Sequence, residues 1–163
     1  MRRTGVLVAV ALVAALGSVS AQAAAKPNAD LTQQLDRAGL KYTLTKAGNY
    51  SITYNLDGGR SQTVYIMGKT EKVGATEIRE LWSRAGTMDS PPDADQMKAL
   101  LEDSGNAKVG FWALEETDQG GYTIYFSVKV PVYMNDKDLG ALLEYTANMA
   151  DQKEEELFNA DDE

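Results

Sequence analysis

The chain has 163 residues, with 16 Lys and Arg against 24 Asp and Glu, no His and no Cys, giving a formal charge of −8 at pH 7. Hydrophobic residues make up 44% and charged residues 25%, the balance of one ordinary globular domain. Without imidazole or thiol there is no usual zinc site, no Cys nucleophile, no Ser-His pair and no disulfide, so any catalysis would rest on carboxylates, Lys, Tyr or Ser.

Residues 1–23 have the layout of a secretory signal peptide. Arg2 and Arg3 supply a positive start, and an Ala/Val/Leu run follows from Val6 to Leu16. That run is well short of the about 20 apolar residues that span a bilayer. Cleavage is expected after Ala23, in Ala21-Gln22-Ala23, or after Ala25. No Cys follows the run, which excludes lipid acylation there. Cleavage after Ala23 removes Arg2 and Arg3 and no acids, leaving 14 basic against 24 acidic residues and a charge of −10. The expected product is exported, to a periplasm or an extracellular space, and its acidity disfavours nucleic acid and anionic membrane as partners.

Residues 24–29 read as a linker, 30–158 as one folded domain and 159–163 as an acidic tail. Asp30 can cap a helix through Leu31, Leu35 and Ala38 that Gly39 ends. The period then changes to two. Tyr42 and Leu44 alternate with polar residues, Ala47-Gly48-Asn49 turns the chain, and Tyr50, Ile52, Tyr54 and Leu56 alternate again. Asp57-Gly58-Gly59 makes the next turn before a third strand over Gln62–Met67, completing a meander.

From Gly74 the spacing of Ile78, Leu81, Trp82 and Ala85 predicts a helix, capped by Thr76 and stopped by Gly86. Met88-Asp89-Ser90-Pro91-Pro92 breaks it, and another helix follows with Met97, Leu100 and Leu101 inward until Gly105. Strands are expected over Lys108–Glu115 and Tyr122–Val130. A long last helix from Asn135 or Asp136 carries Leu139, Leu142, Leu143, Tyr145, Thr146 and Met149 inward. The order is α-β-β-β-α-α-β-β-α, an α+β domain with a five-stranded antiparallel sheet and helices packed on it.

Tyr50-Ser51-Ile52-Thr53-Tyr54, the run Asp57–Ile66 and the Leu-rich stretch Leu139–Asp151 together resemble the bacterial YbjN-type domain. That family is described as sensory transduction regulators, and its fold is similar to that of type III secretion chaperones. The resemblance covers about residues 30–158. It implies a non-catalytic domain that binds a protein or peptide client and can form a homodimer, without a cofactor or metal. The export signal departs from that family's usual cytoplasmic setting.

By strand parity, Tyr65, Met67, Trp112 and Tyr125 lie on the second faces of their strands and form the candidate partner surface if helices cover only the other side. The alternatives are that helices cover this face too, or that it joins two copies of the chain. Glu115-Glu116, Asp118, Asp136 and Asp138 sit at turns and helix starts, where solvated or capping roles account for them better than acid–base chemistry. A rival functional reading is a periplasmic small-ligand or signal sensor, with a pocket between the sheet and the helix containing Trp82.

Overall fold

The computed structural model describes residues 28–158. The expected signal peptide, most of the linker and the acidic tail lie outside the described residues. The elements are α1 (Ala29–Arg37), β1 (Thr43–Leu44), β2 (Tyr50–Asn55), a short 3-10 turn (Asp57–Gly59), β3 (Ser61–Ile66), β4 (Glu71–Val73), β5 (Thr76–Met88), α2 (Ala94–Asn106), β6 (Phe111–Glu116), β7 (Tyr122–Pro131) and α3 (Asp136–Phe158). The fold is α+β, with one antiparallel sheet in the order β1-β2-β3-β5-β7-β6 and β4 folded back on β5.

The sheet has seven strands rather than five, because the segment expected as a helix from Gly74 is the β4–β5 hairpin. Ile78, Leu81, Trp82 and Ala85 do fall at helical intervals, but the residues between them also alternate. Arg79, Leu81, Ser83 and Ala85 all turn to one side and are buried, while Ile78, Glu80, Trp82 and Arg84 turn to the other. The strand wins because β7 offers a partner along its whole length, from Ile78 opposite Pro131 to Met88 opposite Tyr122, with a bulge between Arg84 and Gly86. Cross-strand packing of that extent overrides a short apolar run of ambiguous period.

Local chemistry sets the helix starts. Asn28, rather than Asp30, caps α1 by accepting the Leu31 amide at 3.0 Å. Asp93 and Gln96 form a reciprocal capping box at α2, and Asn135 accepts the Asp138 amide at the start of α3. Arg37 on α1 grips Asp136 on α3 through two hydrogen bonds of 2.9 and 3.0 Å, which fixes the two helices side by side.

All three helices pack on one side of the sheet. The core lies between them and the face carrying Tyr50, Ile52, Val64, Ile66, Leu81, Ile124, Phe126 and Val128. The Tyr50 hydroxyl donates to the Asn28 carbonyl at 3.0 Å and accepts from Thr32 at 2.6 Å, so this buried ring also anchors α1. Gly68 is required by a close approach: a Cβ there would run into the Gly48 carbonyl oxygen.

Tyr54 lies on the same core face, and its buried hydroxyl has no hydrogen-bond partner among the described residues. Burial, assisted by the charge of Glu144, pushes its phenol up to about 12. The unfolded chain therefore loses this proton first on alkalinisation, and stability falls between about pH 10 and about pH 12, by at most about 1.4 kcal/mol per pH unit. Tyr54→Phe is expected to remove that alkaline loss and to stabilise the fold at neutral pH by about 1 kcal/mol, since a buried hydroxyl without a partner carries an uncompensated desolvation cost. Urea titrations of both proteins at pH 7 and pH 11 check it; a destabilised variant at pH 7 would contradict it.

Candidate functional site

The sheet's second face carries no helix among the described residues, and its side chains follow from the register. Tyr65 on β3 stands opposite Trp82 on β5, Trp82 opposite Ser127 on β7, and Ser127 opposite Phe111 on β6. One row of side chains thus crosses four strands. Tyr65 and Trp82 stack with ring centroids 4.4 Å apart and planes 18° from parallel. Tyr125, diagonal to Trp82, meets it edge-on at 5.6 Å. Phe111 at the edge strand is 39% exposed and extends the apolar surface outward.

Polar groups frame this aromatic strip. Ser127 is fully buried beneath it, and its hydroxyl donates to Glu80 at 2.5 Å. Glu80 stands opposite Lys129 on the neighbouring strand. Burial, and then the charges of Glu80 and Glu115, push the Tyr125 phenol above its ordinary value, so at neutral pH its hydroxyl remains a hydrogen-bond donor. Met67, just past β3, lines a small cavity of about 70 Å³ with Ile78, Glu80 and Lys129.

A larger cleft of about 340 Å³ opens beside the Tyr65–Trp82 stack, bordered by Gln62, Thr63, Arg84 and Glu154. It exists because β3 and β5 pair over only Val64–Ile66 and Leu81–Ser83 and then separate towards the bulge. The buried Gln62 side chain spans the gap, donating to the Arg84 carbonyl at 3.2 Å and to Glu154 at 2.6 Å, while the Ser83 hydroxyl lies 3.0 Å from its oxygen. The widening is therefore held open by hydrogen-bonded side chains rather than by loose backbone.

Of the four residues placed on this face by parity, the fold brings Tyr65, Met67 and Tyr125 together there. Trp112 is the exception. It stands opposite Phe126, which points into the core, and it is 8% exposed beneath α2 and α3. The Phe126 ring lies 5.1 Å away, and the Lys153 ammonium 5.8 Å from the Trp112 ring. β6 begins only at Phe111, after Gly110, and within it Trp112 takes the core-facing side while Phe111 takes the open one. Trp82 takes the vacant place in the surface. Its position between Glu80 and Arg84 was the available signal, obscured by the helical reading of its neighbours. Because Trp82 belongs to a strand and points away from the helices, a ligand pocket between the sheet and a helix bearing Trp82 does not form.

The acidic residues have ordinary neighbours. Glu115 and Glu116 end β6 in solvent, Asp136 binds Arg37, and Asp138 joins the cap of α3. Among the described residues, no group of three or more His, Cys, Asp or Glu is arranged to hold a metal ion, and no helix is long and apolar enough to cross a membrane.

No family model and no curated protein matches the sequence. Among solved structures, the chain is similar to the crystal structure of YbjN from E. coli, at 12% identity and a TM-score of 0.48, over 77% of this chain and 87% of that one.

Proposed function

We propose that this chain is an exported, non-enzymatic, adaptor- or chaperone-like domain of YbjN type whose working surface is the helix-free face of its sheet. The observation that carries the reading is the stack of Tyr65, Trp82 and Tyr125, three large aromatic rings held in one packed row on a face that no helix covers among the described residues. Rigid aromatic rings rimmed by polar groups are what partner surfaces use for anchoring, because they give large contact area at little entropic cost. The strong negative charge favours a client segment that is basic, by attraction at long range. The cleft beside Trp82 suits an extended segment, with one side chain seated against Gln62 and Arg84.

Trp82→Ala is expected to weaken client capture at least about 30-fold, the effect of losing an anchor worth about 2 kcal/mol. Its melting transition should remain cooperative, because Trp82 is only partly buried and lies outside the core. Affinity capture of the wild type and the variant from the exported compartment, read beside thermal melts, measures this. Equal capture of the same partner by both would remove Trp82 from the surface.

A further inference from the structure

On the opposite side of the sheet, we propose that the cavity around Arg79 is a binding site for a small zwitterion of the α-amino acid class, its carboxylate held by Arg79 and its ammonium by Asp30 and Glu77. The cavity is about 400 Å³, within the range of small-ligand sites, and lies beneath the start of α1 and the turn after β7, with Asn28, Gln34 and Tyr133 on its walls. It is separate from the aromatic face, so the inference stands independently of the function proposed above.

Arg79 is the reason to read this cavity as a site. It points to the helix-bearing side of β5 and is only 5% exposed, yet among the described residues its side chain makes no ion pair or hydrogen bond, and its Nε is fully buried. Arg37, Arg60 and Lys153 each meet a carboxylate at 2.9 Å or less. A guanidinium presents five donors in a fixed plane that matches a carboxylate bidentately, and a buried cation without such a partner is unfavourable. Burial accordingly holds the Arg79 guanidinium below the usual arginine value, despite the opposing pull of Glu77, Tyr50 and Asp30.

The chain's own acids do not close the gap. Glu77 is engaged by the Thr70 hydroxyl, and Asp30 sits in the exposed first turn of α1. Both nonetheless line the same cavity as Arg79. Arg37 also borders the cavity but is bound to Asp136, so one unpaired cation and two carboxylates face the space, a balance that would repel a dianion. A ligand bearing a carboxylate and an ammonium on adjacent positions satisfies both signs.

The test is thermal denaturation of the purified protein with a panel of L-amino acids, with the matched carboxylic acids lacking the amino group, and with ethylammonium. At least one amino acid should raise Tm by about 10 °C at about 100 times its Kd. The matched carboxylate should act at least tenfold more weakly and ethylammonium not at all. Arg79→Met should abolish the response while leaving the unliganded Tm unchanged or higher, because an apolar side chain of similar volume replaces an unpaired buried charge. Should that variant fail to fold, Arg79→Lys and the shift of the Arg79 Nε–H resonance on titration of the wild type carry the same test. No response from any amino acid, or a response that survives at Arg79→Met, overturns the site. An equal response to the matched carboxylate overturns the role of Asp30 and Glu77 and the amino-acid class with it.

Discussion

Trp112→Ala is expected to destabilise the fold by about 3–5 kcal/mol, the range for removing a large buried aromatic side chain. The indole is 8% exposed, packs edge-on against Phe126 at 5.1 Å, and lies below the Lys153 ammonium, so its loss leaves a cavity where β6, α2 and α3 meet. Neighbouring groups cannot easily fill that space. The Ser104 hydroxyl is fixed at 2.8 Å on the Trp112 amide, and Lys153 is bound to Asp103 and Glu156 at 2.5 Å each. Against the about 5–15 kcal/mol that holds a domain together, such a loss is large. Trp112→Phe should cost much less, about 1–2 kcal/mol, since the indole N–H has no partner among the described residues to lose. Urea titrations give both values from the shift in midpoint at constant slope. A cost below about 1 kcal/mol for Trp112→Ala would return Trp112 to the surface, where such truncations cost little.

Arg60→Ala is expected to destabilise the fold measurably, because it strands a buried carboxylate, although Arg60 itself keeps some solvent. Arg60 follows the turn between β2 and β3 and reaches Asp151 on α3 through bonds of 2.9 and 2.5 Å, with Glu155 at 3.0 Å. Asp151 is 7% exposed, so removing the guanidinium leaves a buried carboxylate without its cation. The double variant Arg60→Met with Asp151→Leu should recover most of the loss, because an apolar pair of similar volume carries no desolvation cost. Denaturant titrations of the single and double variants form the test. A double variant no more stable than Arg60→Ala would show that the pair itself, rather than the stranded charge, supplies the stability.

Where period and punctuation agreed, the fold was legible in the chain. Tyr50 to Tyr54 and Tyr122 to Val130 alternate cleanly, with Asp57-Gly58-Gly59 and Gly120-Gly121 as turns, and each became a strand within a residue of its expected end. The break at Pro91-Pro92 places the α2 start at Pro92 or Asp93, and the structure fixes it at Asp93, whose capping box uses Gln96 three positions on. The stretch from Thr76 to Met88 was not. Ile78, Leu81, Trp82 and Ala85 satisfy a helical stripe, and only pairing with the distant β7, from Met88 opposite Tyr122 to Ile78 opposite Pro131, decides for the strand.

The same ambiguity governed the site. Tyr65 and Tyr125 were placed on the open face because their strands were assigned correctly. Trp82 is hidden by the helical spacing of its neighbours, and alternation alone does not say which side of β6 meets the core, so Phe111 rather than Trp112 joins the open face. Nothing in the sequence around Arg79 marks it as buried. Its burial comes from α1 and the turn after β7 closing over it, which no local pattern records.

The central claim is that the aromatic face, and not the helix layer, meets a client. Site-specific photo-cross-linking tests it most directly, with p-benzoylphenylalanine placed at Tyr125 or Tyr65 on the face and at Leu101, a 73% exposed residue of α2, as the control. The account predicts a recurrent adduct with one other polypeptide from both face positions and none from Leu101, suppressed by Trp82→Ala in the same chain. Adducts of equal yield from Leu101, no adduct from the face, or adducts only with a second copy of this chain would contradict it.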